Sequence, residues 1–342
     1  MPDIRPLTLD KACDVLLAAE RPLVLSHTRP DGDTVGAAVA LCHLLTALGR
    51  RPAYLLPDPL PRRLAFLTAG LTLADRAENE GGTVITVDVA SPAQLGALSG
   101  EFAPRVALMI DHHASATPMG PYFSDPDAAA CGELIFAIGM RLLDRGALTS
   151  LPAEFYAAVY AAVSSDTACF RLPNTTASSH RIAAALLAEG VPAAEINRAL
   201  FDSRTREDLA ADAIALAGLS LHADGRIAVI ALPLAAREGL ADEHFETAID
   251  IARSLAGVEI AATLRELSDG RTKISLRSTA ADISAVCRRF GGGGHLRAAG
   301  ATAEGAPDAL LPRTSPSLKK SLRVDKNGSG SKPRDTFWRF IA

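Results

Sequence analysis

Seven acidic and histidine side chains in the first third of the chain have the types and the grouping needed to bind metal ions. They occur in three short segments: a turn of sequence HTRPDGD, the end of an apolar run, and the triplet DHH. The seven residues are His27, Asp31, Asp33, Asp88, Asp111, His112 and His113. Histidine nitrogen and carboxylate oxygen, without thiolate, suit Mn²⁺ or a similar divalent cation better than a structural zinc ion.

Each segment taken alone has a simpler interpretation. A DGD triplet is more often a solvated turn, and a histidine at the end of a strand is more often a packed or capping residue. The three segments taken together favour metal binding, because this many carboxylates in one place would repel and raise one another's pKa unless cations lay between them. Two ions about 3.5–4 Å apart, bridged by a shared carboxylate, would lower the pKa of a bridging water and clamp the oxygens of a displacement at phosphorus.

A parallel sheet is the scaffold that would bring these segments together. The runs PLVLSH, GGTVITVDVA and VALMIDHH have the apolar, β-branched composition of buried strands, and Ala/Leu-rich helical stretches lie between and after them. In such sheets ligands bind beyond the carboxyl ends of the strands, which is where the acids and histidines fall. The sequence therefore predicts an α/β fold with a doubly wound, mainly parallel sheet, followed by a smaller α+β domain.

The length of 342 residues predicts about two domains. We expect a metal-binding catalytic domain at 1–190, followed by a polar and partly helical linker at 191–215. Short strands, a helix and a glycine run predict a substrate-binding α+β domain at 216–305. The segment 306–342 is rich in Pro, Ser, Lys and Arg and has no evident amphipathic pattern, so we expect a disordered tail.

The composition excludes several classes of protein. The chain is 48% hydrophobic and 22% charged, and no uninterrupted apolar run approaches the roughly 18 residues of a membrane-spanning helix. Five widely spaced cysteines without a C-x-x-C pair argue against a disulfide scaffold or a zinc ribbon. The net charge of −4 argues against coating of long nucleic acid. The first residues lack the apolar segment of a secretory signal, so we expect a cytoplasmic location.

A second group of residues has the chemistry of a phosphate-binding site. Residues 253–300 contain eight Lys and Arg against four Asp and Glu, a local net charge of +4 in an acidic chain. Most of these basic residues are expected to lie on a solvated face. Arg277 differs because it closes the alternating strand KISLRS, beside Ser278, and its planar guanidinium can bind a phosphate through two hydrogen bonds.

The glycine run 291–294 follows Arg277 along the chain. Four successive glycines are costly in a packed core, because each loses more conformational entropy on folding than another residue would. We favour close approach of the backbone to a ligand, with the N–H groups of Gly292, Gly293 and Gly294 forming an anion-binding nest and His295 adding a donor. A flexible loop is the simpler interpretation of the glycine run taken alone.

The order of these motifs resembles that of the DHH phosphoesterases. SHTRPDGDTVGAA resembles their first motif, Asp88 in VITVDVA the second, Asp111-His112-His113 the third, and SSDTACFR with Asp166 the fourth. FGGGGHLRAAG resembles the signature of the DHH-associated C-terminal domain, so the resemblance covers residues 20–305. Within the family, the compact two-domain chain is similar to the nanoRNase branch, which acts on oligoribonucleotides and on 3′-phosphoadenosine 5′-phosphate (pAp). Relatives usually end in a helix soon after this signature, a feature not expected here.

The resemblance also implies a role for each residue. One Mn²⁺ would be held by His27, Asp31 and Asp88. A second Mn²⁺ would be held by Asp33, Asp88, His112 and Asp166, so that Asp88 is shared, and Mg²⁺ or Co²⁺ are alternative ions. His113 would face the scissile phosphate, and Asp111 would orient the histidines. Substrate contacts would come from Arg277, Ser278, Gly292, Gly293, Gly294 and His295, and, as weaker candidates, from Arg171 and Thr175.

The leading hypothesis is a Mn²⁺-dependent phosphoesterase that releases 5′-mononucleotides from short RNA and dephosphorylates pAp. The scissile bond would lie in a cleft between the domains, and an aromatic content of 5% argues against a long base-stacking track. Three alternatives stay open: a phosphodiesterase of cyclic or linear dinucleotides such as pApA and pGpG, a RecJ-like single-strand exonuclease, and a non-catalytic metal-dependent nucleotide-binding protein. The oligomeric state is also open, with a homodimer among the options.

Overall fold

The chain folds as two units, Met1–Ser203 and Arg204–Ala342. The computed structural model describes residues 4–71, 73–74, 82–279, 281–294 and 296–324. The division between the units falls within the segment 191–215 that we expected to be the linker.

A five-stranded parallel sheet forms the centre of the first unit, as predicted. Its strands are β1 (Leu23–Leu25), β2 (Ala53–Leu55), β3 (Val84–Val87), β4 (Val106–Asp111) and β5 (Tyr122–Ser124). They lie in the order β2-β1-β3-β4-β5, and each neighbouring pair is parallel. Leu25 is paired with Thr86 and Val87 with Ile110, so the carboxyl ends of β1, β3 and β4 are level. Residues that follow these three strands therefore come together at one edge.

Helices connect the strands of the first unit and cover the sheet. Their bounds are α1 (Leu9–Ala18), α2 (Gly32–Ala47), α3 (Ser99–Phe102), α4 (Cys131–Asp144), α5 (Ala153–Asp166), α6 (Ala177–Ala188) and α7 (Ala193–Asn197). Short 3₁₀ segments lie at Arg62–Thr68, Pro92–Leu98 and Ala103–Arg105, and a π-helical turn follows α7 at Arg198–Asp202.

Helix α2 is almost entirely buried and packs closely against α5. A Cβ atom added at Gly36 would lie 2.8 Å from a backbone oxygen of α5, and one added at Gly32 would lie 2.3 Å from Oγ of Ser165. The absence of a side chain at these glycines therefore lets the start of α2 lie against the end of α5. This packing brings Asp33, in the first turn of α2, close to Asp166, the last residue of α5.

The second unit is an α+β domain, as predicted. Its sheet contains β6 (Leu219–His222), β7 (Ile227–Leu232), β8 (Ile260–Glu266), β9 (Arg271–Ser278), β10 (Gly293–Gly294) and β11 (Ala298–Glu304). The order is β10-β11-β9-β8-β7-β6, with β7 and β8 parallel and the other pairs antiparallel. Its helices include α8 (Arg206–Ala217), α9 (Ala248–Arg253) and α10 (Ser284–Arg288), with 3₁₀ turns at Leu234–Arg237 and Asp242–Phe245.

The prediction of a disordered tail from residue 306 onward is wrong for its first half. Residues Pro307–Val324 form a helix, α11, whose Leu310, Leu318 and Leu322 side chains are buried, the last two in the core of the sheet. Pro312 and Pro316 interrupt the amphipathic helical pattern in the sequence. Burial of the leucines offsets the helix-breaking tendency of the prolines. Residues 325–342 lie outside the described part of the chain. Within the described part, no helix has the length and apolar character needed to span a membrane.

Candidate metal centre

Strand β1 and the turn after it position His27 and Asp31. The Nε2 atom of His27 lies 3.8 Å from Oδ2 of Asp31 and 3.4 Å from Oδ2 of Asp88. Its other ring nitrogen, Nδ1, lies 2.8 Å from the carbonyl oxygen of Thr28. Because a carbonyl oxygen only accepts hydrogen bonds, Nδ1 carries a proton and Nε2 is the ring nitrogen that could bind a cation at the centre. Asp31 caps α2, since its Oδ1 atom accepts two backbone N–H groups of the first helical turn.

Asp88 lies in the middle of the centre, one residue after β3. Its φ of 60° is left-handed, a conformation that aspartate tolerates better than most residues, and the residue is only 2% exposed. The Oδ1 atom lies 3.5 Å from Nε2 of His112 and 3.5 Å from Nδ1 of His113, while Oδ2 faces His27. Among the described side chains, Oδ1 is a buried oxygen without a hydrogen-bond partner. A bound cation would pair with this oxygen and favour its charged form, because an unpaired buried charge is strongly unfavourable.

The N-terminus of α4 holds Asp33 in place. The Oδ2 atom of this buried carboxylate accepts the Cys131 N–H (2.7 Å), and Oδ1 accepts the Gly132 N–H (3.0 Å). The first N–H groups of a helix have no partner within the helix, and the residue before α4, Ala130, has no capping side chain. Asp33 therefore caps a helix that begins 98 residues further along the chain.

His112 and Asp166 complete this side of the centre. The Nε2 atom of His112 lies 3.7 Å from Oδ2 of Asp33 and 3.9 Å from Oδ2 of Asp166. Its Nδ1 atom lies 3.1 Å from the carbonyl oxygen of Ala128, which fixes the proton on Nδ1 and leaves Nε2 as a potential ligand.

Asp111 is fully buried at the end of β4 and binds His113. Its Oδ1 atom lies 2.8 Å from Nδ1 of His113, and its Oδ2 atom accepts the backbone N–H of the same histidine. This bond is the main reason why the pKa of His113 rises to about 9. We expected Asp111 to orient both histidines, whereas the ring of His112 bonds to the Ala128 carbonyl instead. A backbone carbonyl has no signature in the sequence, so the motifs could not identify this contact.

Burial and mutual repulsion shape the titration of the carboxylates. The pKa values of Asp33 and Asp88 are well above the usual range, chiefly because of burial and then because of neighbouring carboxylates. Burial also raises the pKa of Asp166 to about 6. In the absence of a cation these groups resist ionisation, and a bound cation would reverse that preference.

The structure gathers all six predicted ligands and His113 into three overlapping groups, within each of which the ligand atoms lie within 4.8 Å of one another. The groups are His27, Asp31 and Asp88; Asp33, His112 and Asp166; and Asp88, His112 and His113. The donor types, the partnerless oxygen of Asp88 and the raised carboxylate pKa values all fit divalent cations. The groups overlap at Asp88 and His112, so the arrangement suits two adjacent ions.

The segment after α5 contains the two weaker substrate candidates. Arg171 is exposed, and its Nε atom donates a hydrogen bond to the carbonyl oxygen of Ala168 (2.7 Å). Thr175 has a buried hydroxyl oxygen without a hydrogen-bond partner among the described atoms. Sequence reasoning missed Asn174, which lies between them and donates a hydrogen bond to Asp166.

In the second unit, Arg277 and Ser278 end β9. Arg277 is partly buried, which lowers the pKa of its guanidinium, and its Nη1 atom donates to the carbonyl oxygen of Leu276 (3.0 Å). The Ser278 hydroxyl donates to the carbonyl oxygen of Ala281 (2.5 Å), so it helps to close the turn after the strand. His295 lies outside the described residues.

Two of the predicted ligand-binding glycines have a structural explanation. A Cβ atom added at Gly292 would lie 2.2 Å from the carbonyl oxygen of Gly300, and one at Gly294 would lie 2.5 Å from that of Ala298. Gly293 and Gly294 form β10, paired with β11, and successive N–H groups of a strand point in opposite directions. The prediction of a nest of successive N–H groups is therefore wrong here. A Cβ atom at Gly293 would face open space.

The sequence is similar to those of a known protein family. The sequence profile of the DHH family, N-terminal domain, matches residues 21–163, and that of the DHHA1 domain matches 224–313. The chain is 32% identical over 298 residues to the bifunctional oligoribonuclease and PAP phosphatase NrnA of Thermus thermophilus, covering 85% of this chain and 87% of that protein. The chain belongs to the DHH family. Its enzyme class is therefore phosphoester hydrolase, as the motifs predicted, and the family is metal-dependent.

Other relatives agree with this assignment. The NrnA protein of Bacillus subtilis, with the same description, is 25% identical over 281 residues, covering 81% of this chain and 87% of that protein. An exopolyphosphatase-related protein from Bacteroides fragilis superposes with a TM-score of 0.85 at 22% identity, covering 93% of this chain and 97% of that one. RecJ from Thermus thermophilus superposes at 0.57 and 18% identity, covering 92% of this chain and 55% of RecJ. These two structures support the DHH fold.

Proposed function

We propose that this DHH-family enzyme hydrolyses short RNA oligonucleotides to 5′-mononucleotides, and pAp to AMP, with the help of two Mn²⁺ ions. The observation that carries the proposal is the pair of ligand groups on either side of Asp88, whose two oxygens face different histidines. The names of the relatives from Thermus thermophilus and Bacillus subtilis, which cover most of this chain, support the choice of substrates. The cytoplasm and a homodimer remain our proposals for location and assembly.

The two ions would divide the ligands. His27, Asp31 and Asp88 would hold one ion, and Asp33, Asp88, His112 and Asp166 would hold the other. When bound, the pair would lower the pKa of a shared water and neutralise charge on the phosphate, with Mg²⁺ or Co²⁺ as possible substitutes. The protein prepares this chemistry in advance, because the Nδ1 bonds of His27 and His112 orient each ring so that its Nε2 atom faces the carboxylates.

His113 is the proposed general acid. Asp111 holds its Nδ1 atom, which leaves the proton on Nε2 available to the leaving-group oxygen of the substrate. A pKa of about 9 keeps the ring protonated at neutral pH in the metal-free centre. Positive charge brought into the centre would lower this pKa toward neutrality, the range in which general acids work best. Asp111 would thus act on the reaction through His113.

The second unit is proposed to bind the substrate. One N–H group of the Arg277 guanidinium bonds to the carbonyl of Leu276, and the planar group has further donors for a phosphate. Ser278, Gly292, Gly293, Gly294 and His295 stay in the proposal as neighbours of Arg277 in the sequence signature, and Arg171 and Thr175 as contacts from the first unit. Gly293 is the glycine whose open surface best suits the close approach of a ligand.

The experiment that tests the proposal combines metal and substrate. The full-length protein, stripped with a chelator, is incubated with Mn²⁺, Mg²⁺ or Co²⁺ and with pAp, RNA dinucleotides, RNA five-mers, cyclic dinucleotides or long single-stranded DNA. We expect Mn²⁺-dependent release of AMP from pAp and of 5′-mononucleotides from the short RNA. Asp88→Asn should reduce turnover by about 1,000-fold, because the shared carboxylate is lost. Asp144→Asn, which changes an exposed carboxylate at the end of α4, is the matched control.

Each other outcome points to one alternative. Cleavage of cyclic dinucleotides, or of linear dinucleotides without cleavage of RNA five-mers or pAp, would favour a dinucleotide phosphodiesterase. Preferential cleavage of long DNA would favour a RecJ-like enzyme. Binding of Mn²⁺ and pAp without product would favour a nucleotide-binding protein. Full activity of Asp88→Asn would refute the metal centre itself.

A further inference from the structure

A single backbone segment, residues 128–132, supports all three members of the ligand group Asp33, His112 and Asp166. The segment leads into α4 and includes the first two residues of that helix. The first two contacts are direct: the Ala128 carbonyl accepts from Nδ1 of His112, and the N–H groups of Cys131 and Gly132 bind Asp33.

The third contact passes through Asn174. Its Nδ2 atom lies 3.0 Å from the carbonyl oxygen of Ala129, 3.1 Å from the carbonyl oxygen of Asp166 and 3.2 Å from Oδ2 of Asp166. Carbonyl oxygens only accept hydrogen bonds, so the atom at this position must be the amide nitrogen and the amide orientation is fixed. Asn174 therefore ties the Asp166 side chain to the same segment that holds Asp33 and His112.

Asn174 also favours the charged form of the Asp166 carboxylate. A carboxylate at the C-terminal end of α5 meets the negative end of the helix dipole, which disfavours its charged form. A donor on Oδ2 favours that charged form, and a donor on the main-chain oxygen satisfies a helix carbonyl that has no partner within the helix. The amide thus fixes the direction of the carboxylate and supports its charge.

A contact between α4 and α6 holds the supporting segment in place. Glu133, the third residue of α4, is buried, and its carboxylate accepts a hydrogen bond from the Ser179 hydroxyl (2.6 Å). Ser179 belongs to the capping box at the start of α6, which fixes it in turn. The other ligand group is held differently: His27 bonds to the carbonyl of Thr28, and Asp31 binds the first turn of α2.

We infer that Asn174 is a positioning residue for the metal ion bound by Asp33, His112 and Asp166, and that it acts through Asp166 without affecting the ion at His27 and Asp31. The inference rests on the proposed function, because it requires that the centre bind two ions. Loss of a partner that orients a metal ligand typically weakens metal binding about 10–100-fold. We expect a loss of that size for one ion in Asn174→Ala.

Calorimetric titration of the chelator-stripped, full-length protein with MnCl₂ tests the inference. The unmodified protein should bind two ions per chain, and Asn174→Ala should bind one with unchanged affinity and the other about 10–100-fold more weakly. Asn174→Asp, which has the same size but places a carboxylate against three acceptor oxygens, should lose at least as much. Asn197→Ala is the matched control, because this amide bonds to Ser164 and Tyr160 instead.

A double variant shows whether Asn174 acts through Asp166. Removal of Asp166 already weakens the same ion, so Asp166→Ala/Asn174→Ala should bind Mn²⁺ like Asp166→Ala alone. Unchanged binding of both ions by Asn174→Ala, or an additive loss in the double variant, overturns the inference while the metal centre stands. Absence of Mn²⁺ uptake by the unmodified protein refutes the proposed function and this inference with it.

Discussion

Replacement of Asp166 by asparagine is expected to stabilise the metal-free protein at neutral pH while weakening its metal binding. The pKa of Asp166 rises from 3.8 to about 6 on folding, mainly because of burial. Between these two values the folded state binds more protons than the unfolded state, so the stability falls as the pH rises through this range. Above pH 6 the full penalty of the carboxylate is present. The asparagine of the variant would carry no such penalty, and its amide oxygen could still accept from Asn174.

The size of the effect follows from the same shift. A change of pKa from 3.8 to about 6 is worth about 3 kcal/mol for a fully buried group. One third of the Asp166 side chain is exposed, and solvent screening reduces the effect, so we expect about 1.5 kcal/mol. For a unit of this size, that corresponds to an increase of about 3–6 °C in the melting temperature of the first unit.

Thermal unfolding in the presence of a chelator measures this difference. Asp166→Asn should melt above the unmodified protein at pH 8, and the gap should shrink as the pH is lowered toward 4. In Mn²⁺ at 100 times the Kd of the unmodified protein, the order of the two melting temperatures should reverse. Each bound ion then stabilises the unmodified protein by about 2.7 kcal/mol. Asp144→Asn serves as the control for loss of one carboxylate. A gap that is absent at pH 8, or equally large at pH 4, would show that the buried carboxylate carries no folding penalty.

Two further predictions concern the second unit. Arg277→Ala should raise KM for short RNA about 10–100-fold with little change in kcat, since it removes the charged hydrogen-bond donor that we propose binds the substrate. Arg271→Ala, on the same strand but paired with Asp269, is the control, and a loss confined to kcat would contradict a docking role. Gly294→Ala should destabilise the second unit by about 1–3 kcal/mol in urea unfolding, because its φ is 137° and the added methyl would meet the β11 backbone. Gly293→Ala should be nearly neutral, and equal stabilities of the two variants would refute the packing explanation.

The candidate metal centre was predictable because most of its residues lie at the ends of parallel strands. His27, Asp88 and His112 each lie one or two residues beyond a run of apolar residues, so strand prediction and residue type locate them together. The positions of Asp33 and Asp166 in the centre are harder to predict from the sequence. Both depend on the close packing of α2 against α5, which the sequence indicates only through small residues.

Other features have no local signal in the sequence. The carbonyl of Ala128 orients His112 whatever the side chain of residue 128 is, so the residue type carries no information about the contact. The glycine run could equally be explained by a ligand or by a neighbouring strand, and only the pairing of β10 with β11 distinguishes the two. Tertiary packing buries the leucines of α11. Two prolines interrupt the helical pattern of this segment, so the sequence did not predict the helix.

The strand order explains why Asp88 is the residue that two ions would share. Adjacent strands lie about 4.8 Å apart, so side chains that follow β1 and β4, on either side of β3, begin about 9.6 Å apart. One ion with ligand distances of about 2.1 Å joins atoms no more than about 4 Å apart, so the side chains must converge from these strands to share it. Asp88 follows the strand between them, and its oxygens lie 3.4 Å from His27 and 3.5 Å from His112. His27 and His112 belong to different ligand groups, and Asp88 belongs to a group with each of them, which is why we propose that two ions would share this carboxylate.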